Sequence, residues 1–353
     1  MRKGLLAVCT VVFFIIVGFS TIPTKSPKYE YSVFDQLSEY HFFEGDLSAL
    51  KPAKNVIPYS LNTPLFSDYA KKLRFIKLPE GSSVAYNEKE VFDYPIGTVL
   101  IKNFYYFHDA RKPEKGRRII ETRLLIHAEE GWKALPYVWN DDQTEAYLDV
   151  AGATKEVTWR SESGKKMKLN YQVPNANQCK GCHLRGDKLM PIGPSARQLN
   201  GEFEYKEGKM NQLEKWSELR LLTGLPASRE LIPQLAVWND PTTGNLDDRA
   251  RAWLDINCGH CHRPDGPANT SGLFLYIHEK DPTSLGINKS PVAAGKGSGS
   301  RPFDIVPGKP NASILLYRMT SLDPGEMMPE IGRTLVHKEG IDLIEHWIAS
   351  LEN

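Results

Sequence analysis

The chain of 353 residues predicts an α+β multidomain fold: an N-terminal antiparallel β-sandwich or open barrel, followed by mostly helical units. Three observations carry this. From about residue 55 to 172, short runs rich in Val, Ile, Thr, Tyr and Phe are broken by Gly, Pro, Asn and Asp clusters, which is the texture of short strands joined by turns. At Pro174 the texture changes, and two pentapeptides of the form Cys-x-x-Cys-His follow, Cys179 to His183 and Cys258 to His262. Beside them lie stretches with the apolar spacing of amphipathic helices. Hydrophobic residues make up 41% of the chain, enough for more than one core.

In chain order, Arg2 and Lys3 precede an apolar run from Leu5 to Phe19, so residues 1–20 read as a secretory signal peptide. The run is shorter than the ~20 residues of a spanning helix. A membrane enters only if this leader stays uncleaved, and Cys9 reads as an apolar residue of the removed segment. Residues 21–54 read as a tether that becomes structured. In the β-rich unit, 55–172, candidate strands are Leu73–Leu78, Thr98–Phe107, Arg118–His127, Lys133–Val138 and Lys155–Trp159. In the third of these, Ile120, Thr122, Leu124 and Ile126 share one face. Glu121, Arg123 and His127 fall opposite, the pattern of a half-buried antiparallel strand. The first motif unit spans 173–240 and includes an expected helix from Asn211 to Leu222. The second spans 241–353. Its expected helices are Asp247–Ile256, with acids at the positive end of the dipole, and His337–Leu351, with a stripe of Ile341, Ile344, Trp347, Ile348 and Leu351.

The motifs carry the chemistry. Two thiols three positions apart reach the two vinyl groups of one porphyrin, and the adjoining imidazole turns onto the iron from the same side. Cys179, Cys182, Cys258 and Cys261 are therefore candidate attachment residues for two covalently bound haem c groups, with His183 and His262 as proximal iron ligands. These four are all the cysteines beyond Cys9. A zinc clip or a redox pair would use part of the same pattern. For the sixth position of the second iron, the candidate is Met328, in Met327-Met328-Pro329. For the first it is Met190, also followed by Pro, in competition with His108, His127, Met167, Met210 and an open site. Arg197, Arg301 and Arg333 are candidate partners for haem carboxylates. His260, His278, His337 and His346 read as ordinary surface or satisfied histidines.

Residues 245–353 resemble class I cytochrome c. The likeness lies in the helix leading into Asn257-Cys-Gly-His-Cys-His262, the Met-Met-Pro-Glu-Ile-Gly segment and the final helix bearing Trp347. From about residue 55 onward the chain resembles a family of exported bacterial di-haem c-type cytochromes of unassigned function. The carrying segments are Pro174–His183, Pro191–Asn200 and Val306–Met319. The resemblance implies electron transfer in the periplasm, with a redox protein partner such as a dehydrogenase or another cytochrome. The chain then reads as an electron carrier more than a catalyst. Two rivals remain: a di-haem peroxidase-like oxidoreductase with an open site at the first haem, and a binding module with haem domains attached. For the latter, Trp132, Trp139 and Tyr147 are candidate contacts. Lys and Arg (44) balance Asp and Glu (43), so no bulk charge points to nucleic acid.

Overall fold

The computed structural model describes residues 32–352, so the leader and Cys9 lie outside the described residues. The centre of the molecule is a six-stranded, wholly antiparallel sheet of order β1-β2-β4-β5-β6-β7. Its strands are β1 (Val56–Tyr59), β2 (Lys71–Lys77), β4 (Val99–Phe107), β5 (Arg117–Ala128), β6 (Gly131–Trp139) and β7 (Ala146–Leu148). A two-residue strand β3 (Val84–Ala85) pairs with Leu222 and Thr223 of the later chain, and β8 (Ala153–Arg160) and β9 (Lys166–Val173) form a separate hairpin. The five expected strands are β2, β4, β5, β6 and β8. Pro58 in β1 donates no ladder hydrogen bond, which suits an edge strand.

Both faces of the sheet are covered. Ile101, Tyr105, Leu124, Ile126, Tyr137 and Trp139 pack under the N-terminal segment, against Leu37, Phe42 and Leu50. On the other face, Ile76, Leu100 and Trp132 join Ala196, Leu199, Leu213 and Trp216 of the first motif unit in one core. Phe104, Tyr106 and Ile120 meet Val157, Trp159, Leu169 and Tyr171 of the hairpin. A register shift between Phe104 and Tyr105 leaves Ile120 unpaired and turns it to the hairpin side, away from Leu124 and Ile126. The expected solvent side of β5 is covered too: Glu121 is fully buried and Arg123 half-buried.

The expectation of a sandwich or barrel followed by mostly helical, cytochrome c-like units is overturned. The molecule is built on the open sheet, and the described residues hold six α-helices, several of them short. Residues 173–240 contribute α1 (Ala176–His183), α2 (Ala196–Leu199) and α3 (Gln212–Glu218), separated by two-stranded pairs. The helix expected to reach Leu222 stops because Arg220 turns left-handed (φ 58°) and the chain pairs with β3. Beyond 241 come α4 (Leu246–Asn257), α5 (Ile314–Thr320) and α6 (Lys338–Ser350), with a long segment of turns between α4 and α5. There, Gly, Pro, Asn and Asp satisfy the backbone locally instead of extending helices. No described helix is long and apolar enough to cross a membrane.

Candidate functional site: two cysteine–histidine motifs at one junction

Both motifs sit at helices that open in the same way. Asn175 caps α1 by accepting from Gln178 N at 2.8 Å, while the Gln178 side chain accepts from Asn175 N at 2.9 Å. Asn245 and Asp248 repeat this at α4, at 2.9 and 3.0 Å. At the first, Gly152 (φ +78°) passes so close that an added Cβ would lie 2.6 Å from Val173 O and 2.8 Å from Asn175 N. The motifs then differ in placement. Cys179, Cys182 and His183 lie within α1, whereas Cys258 caps the end of α4 and its partners follow in turns.

Each motif histidine is held by one ring nitrogen. His183 Nδ1 donates to Met190 O at 2.7 Å, and His262 Nδ1 to Leu273 O at 3.2 Å. A carbonyl partner fixes the proton on Nδ1, which leaves the Nε2 lone pair for a metal. Burial pushes both imidazoles down to about 4, so they are neutral, as ligands must be. Cys179 and Cys258 are also raised by burial, Cys258 to about 12.

Two cavities open beside these histidines. The first, about 160 Å³, is lined by Cys179, Cys182, His183, Met328 and residues of the sheet. The second, about 580 Å³, is lined by Cys258, Cys261, His262, Met319 and Met328. The larger lies in the range of small-molecule sites, ~300–1,000 Å³; a porphyrin in the smaller one has to displace lining side chains. The donor set fits a thioether-tethered haem at both. At the junction, the sulfurs of Cys182 and Cys261 and a ring nitrogen of His260 lie within 4.8 Å of one another. A hydrogen bond with Cys261 holds the Cys182 thiol down and the Cys261 thiol up. His260 is thus buried between the motifs, not on the surface.

Met328 is fixed by its main chain: its N–H donates to Arg318 O at 3.0 Å, and its carbonyl accepts from Arg333 Nε at 3.2 Å. The following segment is anchored to the sheet side by Asp68, which accepts from Thr334 N and Leu335 N. Met190 meets His183 through its carbonyl, and its half-buried side chain packs against the core shared with the sheet. His127 stacks on Trp132, Met167 packs against the hairpin core and Met210 is exposed. Neither cavity is lined by these three or by His108. Trp132 and Trp139 are core residues; Tyr147 is exposed.

The three expected carboxylate partners are otherwise engaged. Arg197 pairs with Asp255 at 3.1 Å, Arg301 donates to Asn311 O and stacks on Tyr317, and Arg333 donates to four carbonyls. Three further cations that face the first cavity were not singled out by sequence: Arg74, Lys102 and Arg123, at paired positions of β2, β4 and β5, of which Arg123 is ion-paired with Glu121. Two like charges ~5 Å apart at an effective dielectric of ~20 repel by about 3 kcal/mol, so such a row needs counter-charge. Burial, with Arg74, Arg123 and Lys72 nearby, holds the Lys102 ammonium well below the usual lysine range. His337 was also missed. It lines the first cavity, stacks on Phe66 (centroids 4.3 Å apart), and its Nδ1 accepts from Trp253 Nε1 at 3.2 Å. No protein-family model, curated protein or solved structure matches the chain.

Proposed function

We propose that the protein is an exported di-haem c-type electron carrier, with one haem tethered at Cys179 and Cys182 and the other at Cys258 and Cys261. The observation that carries the reading is the repetition, in two places, of a Cys-x-x-Cys-His motif whose neutral histidine is tied by Nδ1 to a carbonyl and lines a cavity. When bound, each haem supplies a one-electron ferric–ferrous couple.

The chain's own contribution is positional. His183 and His262 present Nε2; the carbonyls of Met190 and Leu273 keep them from rotating, and burial keeps them from taking a second proton. Met328 offers a soft sulfur to the second cavity from a pinned segment. Its sulfur is proposed as the sixth ligand of the second iron. No such role is proposed for Met190, whose contact with His183 is made by its carbonyl. The neighbouring Cys182 and Cys261 place the two tether points side by side, a short route for an electron between sites. A redox protein, such as a dehydrogenase or another cytochrome, would be the partner at either end.

A second reading follows from the Cys182–His260–Cys261 group, which offers three ligands to a zinc-like ion. An optical redox titration of the purified exported protein separates the two. Two haem spectra that interconvert reversibly between oxidised and reduced forms are expected. A colourless chain carrying zinc would contradict the haem proposal.

A further inference from the structure

We infer that the row Arg74–Lys102–Arg123 seats the propionates of the first haem, so that this haem turns both carboxylates inward onto the sheet. The inference rests on the haem reading above and names what the first cavity does with the charged edge of its cofactor.

The placement follows from register. Arg74 pairs with Lys102, and Lys102 with Arg123, so the three positions lie side by side across three adjacent strands. Paired residues of neighbouring strands point to the same face, and all three side chains line the cavity that also holds Cys179, Cys182 and His183. Arg333 lines it as well, with its donors spent on carbonyls, and no Asp or Glu is among the described residues lining this cavity. The second cavity is different, since Asp304 and Glu330 line it alongside Arg318.

Charge accounting leaves two cations unanswered. Glu121, fully buried, takes Arg123 in a two-pronged ion pair and accepts from Tyr171 at 2.6 Å. Arg74 is buried, and its Nη2 has no hydrogen-bond partner among the described residues. Lys102 makes no ion pair among the described residues; its ammonium lies 4.8 Å from the centroid of the Phe104 ring. Lys72, one pleat along the same face, donates to Leu65 O at 3.1 Å. A buried guanidinium with an idle donor calls for an acceptor, and none of the described residues supplies it. A haem brings two carboxylates, and the fork of Arg74 and the point charge of Lys102 are two partners for them.

The test is the double variant Arg74→Gln/Lys102→Gln of the full chain, read by covalent haem count and by the midpoint of each haem in an optical redox titration. Cations beside an iron favour the ferrous form, so the expected result is two haems retained, one midpoint lowered and the other unmoved. The charge-keeping pair Arg74→Lys/Lys102→Arg should leave both midpoints near those of the parent. Lys102→Gln alone replaces the double variant if that one fails to accumulate, and is read the same way. Two haems present with neither midpoint moved would overturn the inference while leaving the haem reading intact. A midpoint of the parent protein that moves on adding inorganic phosphate would assign the row to a diffusible anion, and would also overturn it. A purified chain with no haem at all would remove both.

Discussion

The two motif cavities are alike in their motif chemistry and differ in the charge of their walls. At each, a neutral histidine is fixed through Nδ1 by a carbonyl, and each motif helix opens on an Asn capping box. The first cavity, however, has the sheet as one wall and the chain beyond 250 as another, and among the described residues its lining carries cations and no carboxylate. The second is walled almost wholly by the chain beyond 250 and carries charges of both signs. The same five-residue motif thus sits in two surroundings, each supplied in part by distant stretches of the chain. That environment, through charge and burial, is what tunes a haem potential.

The largest expected effect comes from removing one pair of tethers. Cys258→Ala/Cys261→Ala and Cys179→Ala/Cys182→Ala should each lose one of two covalent haems, scored by intact mass under denaturing conditions. If one pair removed both haems, the sites would not be independent. Next in size, Met328→Ala should lower the midpoint of one haem and abolish its methionine–iron charge-transfer absorption. Met190→Ala should change neither, because the Met190 contact with His183 is main chain. An unchanged spectrum in Met328→Ala would remove the assigned sulfur.

A smaller effect concerns what holds the two motifs together. Glu90 pairs with Arg185, just after the first motif, at 2.7 Å, and with Arg263, just after the second, at 2.9 Å; Asp265 bridges the same two arginines. Burial pushes the Glu90 carboxyl up, but Arg263 and Arg185 outweigh it and hold it below its ordinary 4.5. Its stabilising share is therefore present above that value and lost as pH falls through the lower folded value. Glu90→Gln should cost about 1 kcal/mol near neutrality, since the group is partly exposed, and flatten the acid limb of stability against pH. A denaturant titration at several pH values measures both. Of the same size are the caps: Asn175→Ala and Asn245→Ala should each cost about 1 kcal/mol in the same titration. A markedly larger loss for one would show that its motif helix is held by the cap alone.

Much of the site was legible because it is local. Each Cys-x-x-Cys-His motif and the Met328 segment is a short continuous stretch, and the structure places each of them beside a cavity. The central strands were legible through alternation, and α4 and α6 through their apolar stripes. What sequence misplaced depends on partners far away. Arg74, Lys102 and Arg123 alternate with apolar neighbours as solvent-facing residues do, yet the chain that covers them arrives a hundred or so residues later. His260 reads as a surface residue until Cys182, some eighty positions earlier, packs beside it. The helical content of the motif units was overestimated because the turns rich in Gly, Pro, Asn and Asp between α4 and α5 close on their own backbone, which apolar periodicity does not record. The alternation of Lys166–Val173, with Leu169, Tyr171 and Val173 buried, was a signal of β9 that went unread.

The central claim is that the two motifs carry two covalent haems whose tether points adjoin. The most direct measurement is the intact mass of the denatured, purified, exported chain, taken with its visible spectrum. The account predicts the mass of the mature chain plus two haems. A chain at its bare polypeptide mass, or one with metal bound through Cys182, His260 and Cys261 in place of haem, would contradict it.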